Sequence, residues 1–208
     1  MKLTRKFLPF TLSFFGSFSA ILLTGLTLSG CGIRSIPIAN NAVDAAWAEV
    51  VNQYKRRSDL IPNLVEVVKG YAKHEKETLE GVIEARAKAT QVTVNAADLD
   101  EAKLKAFSQA QQGLSSALGR LMVVAERYPD LKANENFRDL QAQLEGTENR
   151  VTIARQRYIE SVNQFNNLVT APPESWTNSL FLRMTKKPQF TVENEKAVSE
   201  PPKVNFSQ

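Results

Sequence analysis

Two residue types that carry much of enzyme chemistry are almost missing from this chain of 208 residues, which has one cysteine, Cys31, and one histidine, His74. With a single cysteine no disulfide can form within the chain. One histidine likewise excludes the metal sites a helical chain most readily builds. His74-Glu75 opens like an H-E-x-x-H zinc motif, but Thr78 stands where the second imidazole would have to grip the metal. Di-iron bundles need Glu-x-x-His on two helices, which one histidine cannot supply. No glycine-rich phosphate loop occurs, so nucleotide chemistry has no cradle. A basic excess is missing too. The formal charge is +4, but Lys2, Arg5 and Lys6 lie in the first 31 residues with no acid among them, which leaves the remainder at +1. A nucleic-acid binder would carry an excess of cations over one face.

What is present begins with an export signal. Lys2–Lys6 forms a positive start, and an apolar run from Phe7 to Thr27 leads into Leu28-Ser29-Gly30-Cys31. Charge, apolar run and small residues in that order mark a cleaved signal. The tetrapeptide resembles the bacterial lipobox, whose cysteine thiol takes up diacylglycerol and whose freed amine takes an acyl chain. Dual acylation satisfies the physical need for two chains in stable anchoring. The alternative is an uncleaved membrane helix, since the run is long enough to cross about 30 Å of hydrocarbon. In either case residues 1–30 are the signal or anchor, and the remainder is expected outside the cytoplasm, on the periplasmic side if the cell is Gram-negative.

Residues 31–39, with Pro37, read as the lipidated cysteine and a short linker. From Asn40 the pattern turns helical, with Val43, Trp47, Val50 and Tyr54 on one stripe. Ser58 and Asp59 can cap a new helix, with Pro62 in its first turn or at a kink. Leu64, Val68, Tyr71, Leu79 and Val82 then continue one face to about Ala89. Residues 90–97 read as a loop. Asp98 is placed to cap the next helix, in a capping box with Glu101. Its seam is Leu104, Phe107, Leu114, Leu118, Leu121, Ala125 and Tyr128, with Gln111 out of character, and Pro129 ends it. A last long helix opens near Asn134. Its heptad-like, coiled-coil seam runs through Phe137, Leu140, Leu144, Val151, Ala154, Tyr158, Phe165 and Leu168, interrupted by Thr147 and Ser161.

Stripes this long must bury against one another, and short connections favour antiparallel neighbours. The expected fold is all-α: an up-and-down antiparallel four-helix bundle over residues 40–171 if the chain turns back near Ser58–Pro62, three long helices if Pro62 only kinks one. Pro172-Pro173 stops it. Residues 172–185 suit a short amphipathic helix carrying Trp176, Leu180, Phe181 and Met184, expected to cap the bundle end in preference to touching a membrane. Residues 186–208 read as a flexible tail.

Several strings then point to a family. Asp59-Leu60-Ile61-Pro62-Asn63-Leu64, Tyr71-Ala72-Lys73-His74-Glu75-Lys76-Glu77 and the run from Ala125-Glu126-Arg127-Tyr128-Pro129-Asp130 to Asn134 resemble signature blocks of the LemA family. So do Leu144-Glu145-Gly146-Thr147-Glu148-Asn149-Arg150 and Ala154-Arg155-Gln156-Arg157-Tyr158. The resemblance covers about residues 40–170. It implies a four-helix bundle with an N-terminal membrane anchor, in a family with no established enzymatic activity whose members are discussed as envelope or membrane-associated proteins. Ile159 departs from the asparagine expected there, and Ala171 from the aromatic expected before the proline. The lipobox varies the family's more usual plain anchor.

Two polar constellations remain. Arg56, Arg57 and Asp59 face Lys132 and Asn134 near expected helix ends, and Glu145, Glu148, Arg150 and Arg155 share the last long helix. Such groups at helical spacing form ion pairs that fix register more often than a binding groove. Asp130, in the Tyr128-Pro129-Asp130 turn, reads as part of a stop signal. His74 is expected half-buried at the edge of its helix's apolar face. Three functions follow: a non-catalytic envelope adaptor or scaffold for an unidentified protein partner, a lipid-contacting or membrane-shaping protein, and an unrecognised envelope hydrolase with two carboxylates as acid and base. The first leads, because tether and rod are both legible and a catalytic group is not. It requires no metal, no cofactor beyond the lipid on Cys31, and no nucleic acid.

Overall fold

A computed structural model describes the backbone of residues 11–190 and the side chains of residues 33–190. Helix α1 (Thr11–Tyr71) is followed by α2 (Lys76–Gln91), a 3-10 turn (Ala96–Asp98), α3 (Glu101–Ala125), the short α4 (Pro129–Ala133), α5 (Glu135–Thr170), α6 (Glu174–Thr177) and a π-helical turn (Asn178–Leu182). Among the described residues every regular element is helical. The chain divides into two compact units, Met1–Ala46 with Glu160–Lys187 and Trp47–Ile159 with Pro188–Gln208.

The second unit is the four-helix bundle. Pro62 does not turn the chain back; α1 runs through it. A proline in a helix interior removes the N–H that would bond the carbonyl four residues earlier, here that of Ser58. Arg86 of α2 supplies the missing donor, its Nε–H reaching the Ser58 carbonyl at 2.9 Å. The stripe Trp47, Val50, Tyr54, Ile61, Leu64 and Val68 is buried along the same helix, so tertiary burial and a borrowed donor hold the helix across its weak point. The reversal comes instead at residues 72–75, which carry neither glycine nor proline. There the Glu75 carboxylate accepts hydrogen bonds from Arg127 at 3.0 Å and from the Tyr128 hydroxyl at 3.1 Å. The expected single segment to about Ala89 is thus two helices, and the bundle has four: α1, α2, α3 and α5.

Cross-helix contacts give their directions. Arg57 meets Glu148 while Trp47 meets Tyr158, so α1 and α5 are antiparallel. Gln111 meets Ala89 while Arg127 meets Glu75, so α2 and α3 are antiparallel as well. The apolar core joins Ile61, Leu64 and Val68 to Leu79, Val82, Leu114, Leu121, Leu131 and Phe137. Trp47 anchors an aromatic cluster, 5.2 Å from Phe107, 5.4 Å from Tyr158 and 6.2 Å from Phe190, and its Nε1–H bonds the Val94 carbonyl at 2.9 Å. Phe190, half-buried, thereby packs part of the supposed tail against the aromatic cluster; residues 191–208 lie outside the described residues. The α3 cap is Asp100, accepting from the Lys103 amide at 2.7 Å, not Asp98, which is spent in the 3-10 turn. Helix α5 opens near Asn134 as expected, and Asn134 caps it, accepting from the Phe137 amide at 3.0 Å.

The first unit holds the N-terminal part of α1 and the C-terminal part of α5. Helix α1 continues through residues 32–39, where the sequence suggested a linker. Burial of Ile36 and Val43 at heptad spacing stabilises helix across Pro37. Lys187 closes the unit, its ammonium 2.6 Å from Asp44 and its amide 2.9 Å from the Asn166 side chain. Among the residues with described side chains, no helix is long and apolar enough to cross a membrane. The apolar run and Leu28, Ser29, Gly30 and Cys31 lie outside that set.

Candidate functional site

The most concentrated polar chemistry lies inside the bundle. Arg57, only 1% exposed, projects from α1 toward α3 and α5. Its Nη1 donates to Ser115 Oγ at 3.0 Å and to Glu148 Oε1, and its Nη2 donates to the Gln111 backbone carbonyl at 3.2 Å and Gln111 Oε1 at 2.8 Å. Gln111 in turn donates to the Ala89 carbonyl of α2 at 3.2 Å. One guanidinium therefore ties all four helices together. A buried cation needs this: without such partners its desolvation would cost several kcal/mol. The guanidinium also sits 5.1 Å above the Tyr54 ring. Burial raises the Tyr54 phenol above its ordinary range, opposed by the charges of Arg155 and Arg57.

Beside this node opens a cleft of about 420 Å³, lined among others by Tyr54, Arg57, Gln111, Glu148, Arg155 and Phe190. That volume is within the range of small-ligand pockets. Its charged groups are nevertheless committed. Arg57 makes four hydrogen bonds, Glu148 is its counter-ion, and Arg155 stacks over Phe190 at 4.4 Å while bonding Tyr54. The arrangement is a register lock more than a receptor.

The structure regroups the candidate residues. Arg57 joins Glu148 and not Asn134, because α1 does not end at Ser58. Asn134 is at the far end, bonding the Tyr71 hydroxyl at 3.0 Å. Lys132 pairs with Glu126 at 2.5 Å. Arg150 faces another way, sharing a shallow recess of about 360 Å³ with Arg56 and Asp139. Asp59 is exposed and lines a separate cavity of about 440 Å³ with Val51 and Val94. Asp130 is exposed in the first turn of α4. His74 is exposed in the 72–75 turn, not half-buried on a helix; the helix that would have half-covered it ends at Tyr71. Among the described residues, no three His, Cys, Asp or Glu side chains are grouped so as to hold a metal ion.

Ser115 and Gln111 were not among the residues expected at a site. Gln111 announced itself as the one break in the α3 seam. Ser115 carries no such signal.

A rod of four antiparallel helices locked by one buried arginine, with a reversal pinned by Glu75, Arg127 and Tyr128, defines a class of helical-bundle protein. Comparison with protein families places it more narrowly. The LemA family model matches residues 46–206, and the chain belongs to the LemA family. It is also similar to magnetosome protein MamQ 2 of Paramagnetospirillum magneticum, 29% identical over 86 residues, which is 41% of this chain and 31% of that protein. Magnetosome protein MamQ of Magnetospirillum gryphiswaldense is 30% identical over 69 residues, 33% of this chain and 25% of that protein. The matched part thus spans a third or less of these curated relatives.

Proposed function

We propose that this LemA-family chain is a non-catalytic helical adaptor, held at the cell-envelope membrane by its N-terminus, that presents the bundle to a protein partner. The observation that carries the reading is the apolar run from Phe7 to Thr27 ending in Leu28-Ser29-Gly30-Cys31, set in the same chain segment that enters the bundle's longest helix. Diacylglycerol and an N-acyl chain on Cys31 would fasten that helix to the bilayer. Membership of the LemA family and likeness to magnetosome proteins support a membrane setting.

An adaptor needs a rigid body and exposed, unspent groups. The buried arginine supports the first, since it couples four helices into one register. Asp59, His74, Asp130 and Arg150 support the second, because all four lie exposed on the bundle. The test has two parts. Intact-mass measurement on protein from membranes should find a chain beginning at an acylated Cys31; a full-length, unacylated chain refutes the lipid tether. Crosslinking in intact cells should trap one reproducible partner through residues such as Arg150; a strictly monomeric profile refutes the adaptor.

A further inference from the structure

A surface helix in water turns its polar residues outward and its apolar residues inward. The short segment Glu174–Leu182 does the reverse. Thr177 and Asn178 are buried at 6% and 7% exposure, while Trp176, Leu180 and Phe181 stand 65%, 69% and 68% exposed. The inversion is held from the inside. The Asn178 side chain donates to the Met184 carbonyl at 2.9 Å and the Val169 carbonyl at 3.4 Å, and accepts from the Met184 amide at 2.9 Å. The π-turn closes with the Arg183 amide on the Asn178 carbonyl at 2.6 Å, leaving Arg183 in the left-handed region at φ 51°. A clamped polar residue thus fixes one side of the segment and displays a Trp-Leu-Phe triad on the other, where a cap on the bundle end would have turned these three inward.

Single exposed apolar residues need no explanation, but three large ones together on one short element do. Two features choose their occupant. Arg183 and Lys186 follow the triad and are exposed, while Glu174 precedes it as the acid of the segment. Apolar residues with neighbouring cations are the composition of an interfacial membrane contact, in which aromatic rings sit at headgroup depth. The second feature is position. Lys187, five residues past the π-turn, is bonded to Asp44 of α1, and Asp44 lies thirteen residues from Cys31, a helical rise of about 20 Å. The triad therefore belongs to the same unit as the proposed tether.

We propose that Trp176, Leu180 and Phe181 insert into the interface of an anionic bilayer as a second contact beside the N-terminal tether. This rests on the tether proposed above. Two attachment points fix the orientation of the unit that carries them, whereas one leaves it free to swivel.

The experiment uses the full chain reconstituted into vesicles of phosphatidylethanolamine and phosphatidylglycerol. Trp47 is buried at 2% exposure, so Trp176 is the tryptophan open to quenchers. Brominated lipids should quench the Trp176 emission, most strongly when the bromines lie near the headgroups, and aqueous acrylamide should lose its access. The Trp176→Phe chain, exposed at the changed site and so expected to fold, should lose the lipid quenching. Quenching by acrylamide but not by brominated lipid, in chains that sediment with the vesicles, refutes the contact and leaves the tether standing. Protection from both quenchers also refutes it, and shows instead a second copy, a partner or residues 191–208 over the triad. Chains that do not sediment with vesicles refute the tether and the second contact together.

Discussion

Removing Arg86 should be costly only while Pro62 is in place. The Ser58 carbonyl, in a residue 4% exposed, lost its helical donor to Pro62 and accepts instead from Arg86 Nε at 2.9 Å. Arg86→Met keeps most of the stem and removes the donor. A buried carbonyl left without a partner costs about 1–3 kcal/mol, and a bond from a charged donor contributes about 1.5–3 kcal/mol. Arg86 is half-buried, and partial resolvation of the site trims the expected loss to about 1.5 kcal/mol. In a Pro62→Ala background the helix regains a backbone amide at that position, which returns to the Ser58 carbonyl, so the same Arg86→Met change should cost under about 0.5 kcal/mol. The double-mutant cycle therefore predicts a coupling of about 1 kcal/mol. Urea unfolding of the four chains, followed by circular dichroism at constant m-value, measures it. Equal losses in the two backgrounds would show that Arg86 acts by packing alone and that the repair of the proline is illusory.

Three other outcomes follow from the same contacts. Arg57→Met should destabilise by about 2–3 kcal/mol, because three neighbours lose their donor, whereas Glu148→Gln should cost only about 1 kcal/mol. The difference arises because a glutamine side-chain oxygen can still accept from Arg57 Nη1, while the charge it removes lies on a side chain 48% exposed and screened by water; equal losses in denaturant unfolding would contradict it. Asn134→Ala, which removes the α5 cap on the Phe137 amide and the bond to Tyr71, should cost about 1 kcal/mol, and Asn134→Asp should restore most of the cap; a neutral Asn134→Ala would refute the capping role. The phenol of Tyr54 is raised by burial, so the folded state keeps a proton that the unfolded chain releases above about pH 10. Its contribution is complete below that pH and is lost as pH rises toward the folded value. Stability measured between neutral and strongly alkaline pH should therefore fall more steeply for the parent than for Tyr54→Phe, and parallel curves would remove Tyr54 from the account.

How much of this could be read in advance divides along physical lines. Long stripes such as Leu104–Leu121 and Phe137–Tyr158 fix helices because burial repeats with the helical period, and both are buried as expected apart from the half-buried Leu140. Boundaries were legible where a local group makes them, as at Asn134. They were illegible where a distant group does. Pro62 reads as a break because the arginine that mends it is 24 residues further on. The turn at 72–75 reads as helix because its stabilising partners, Arg127 and Tyr128, come from another helix end. The polar node was half legible: Arg57 and Glu148 stood out, but their pairing depended on a reversal placed in the wrong loop. Phe190 was lost among polar neighbours, for one aromatic in a tail has no period.

The two polar features of the chain do opposite things with the same chemistry. In the bundle, a charged side chain is buried, and Ser115, Gln111 and Glu148 from neighbouring helices offset that burial through its two Nη groups, while its Nε–H is left without a partner. Such a node discriminates among registers, since sliding α5 by one turn would strand a cation in the core. In the other unit, an uncharged amide is buried at Asn178 and apolar groups are left outside. That node is satisfied by local backbone, so it fixes the shape of one segment and says nothing about the helices around it. Stiffness and adhesiveness are thereby assigned to separate residues. Loss of Arg57 should soften the rod without altering what the Trp-Leu-Phe triad touches, and loss of Trp176 should leave the unfolding of the bundle unchanged.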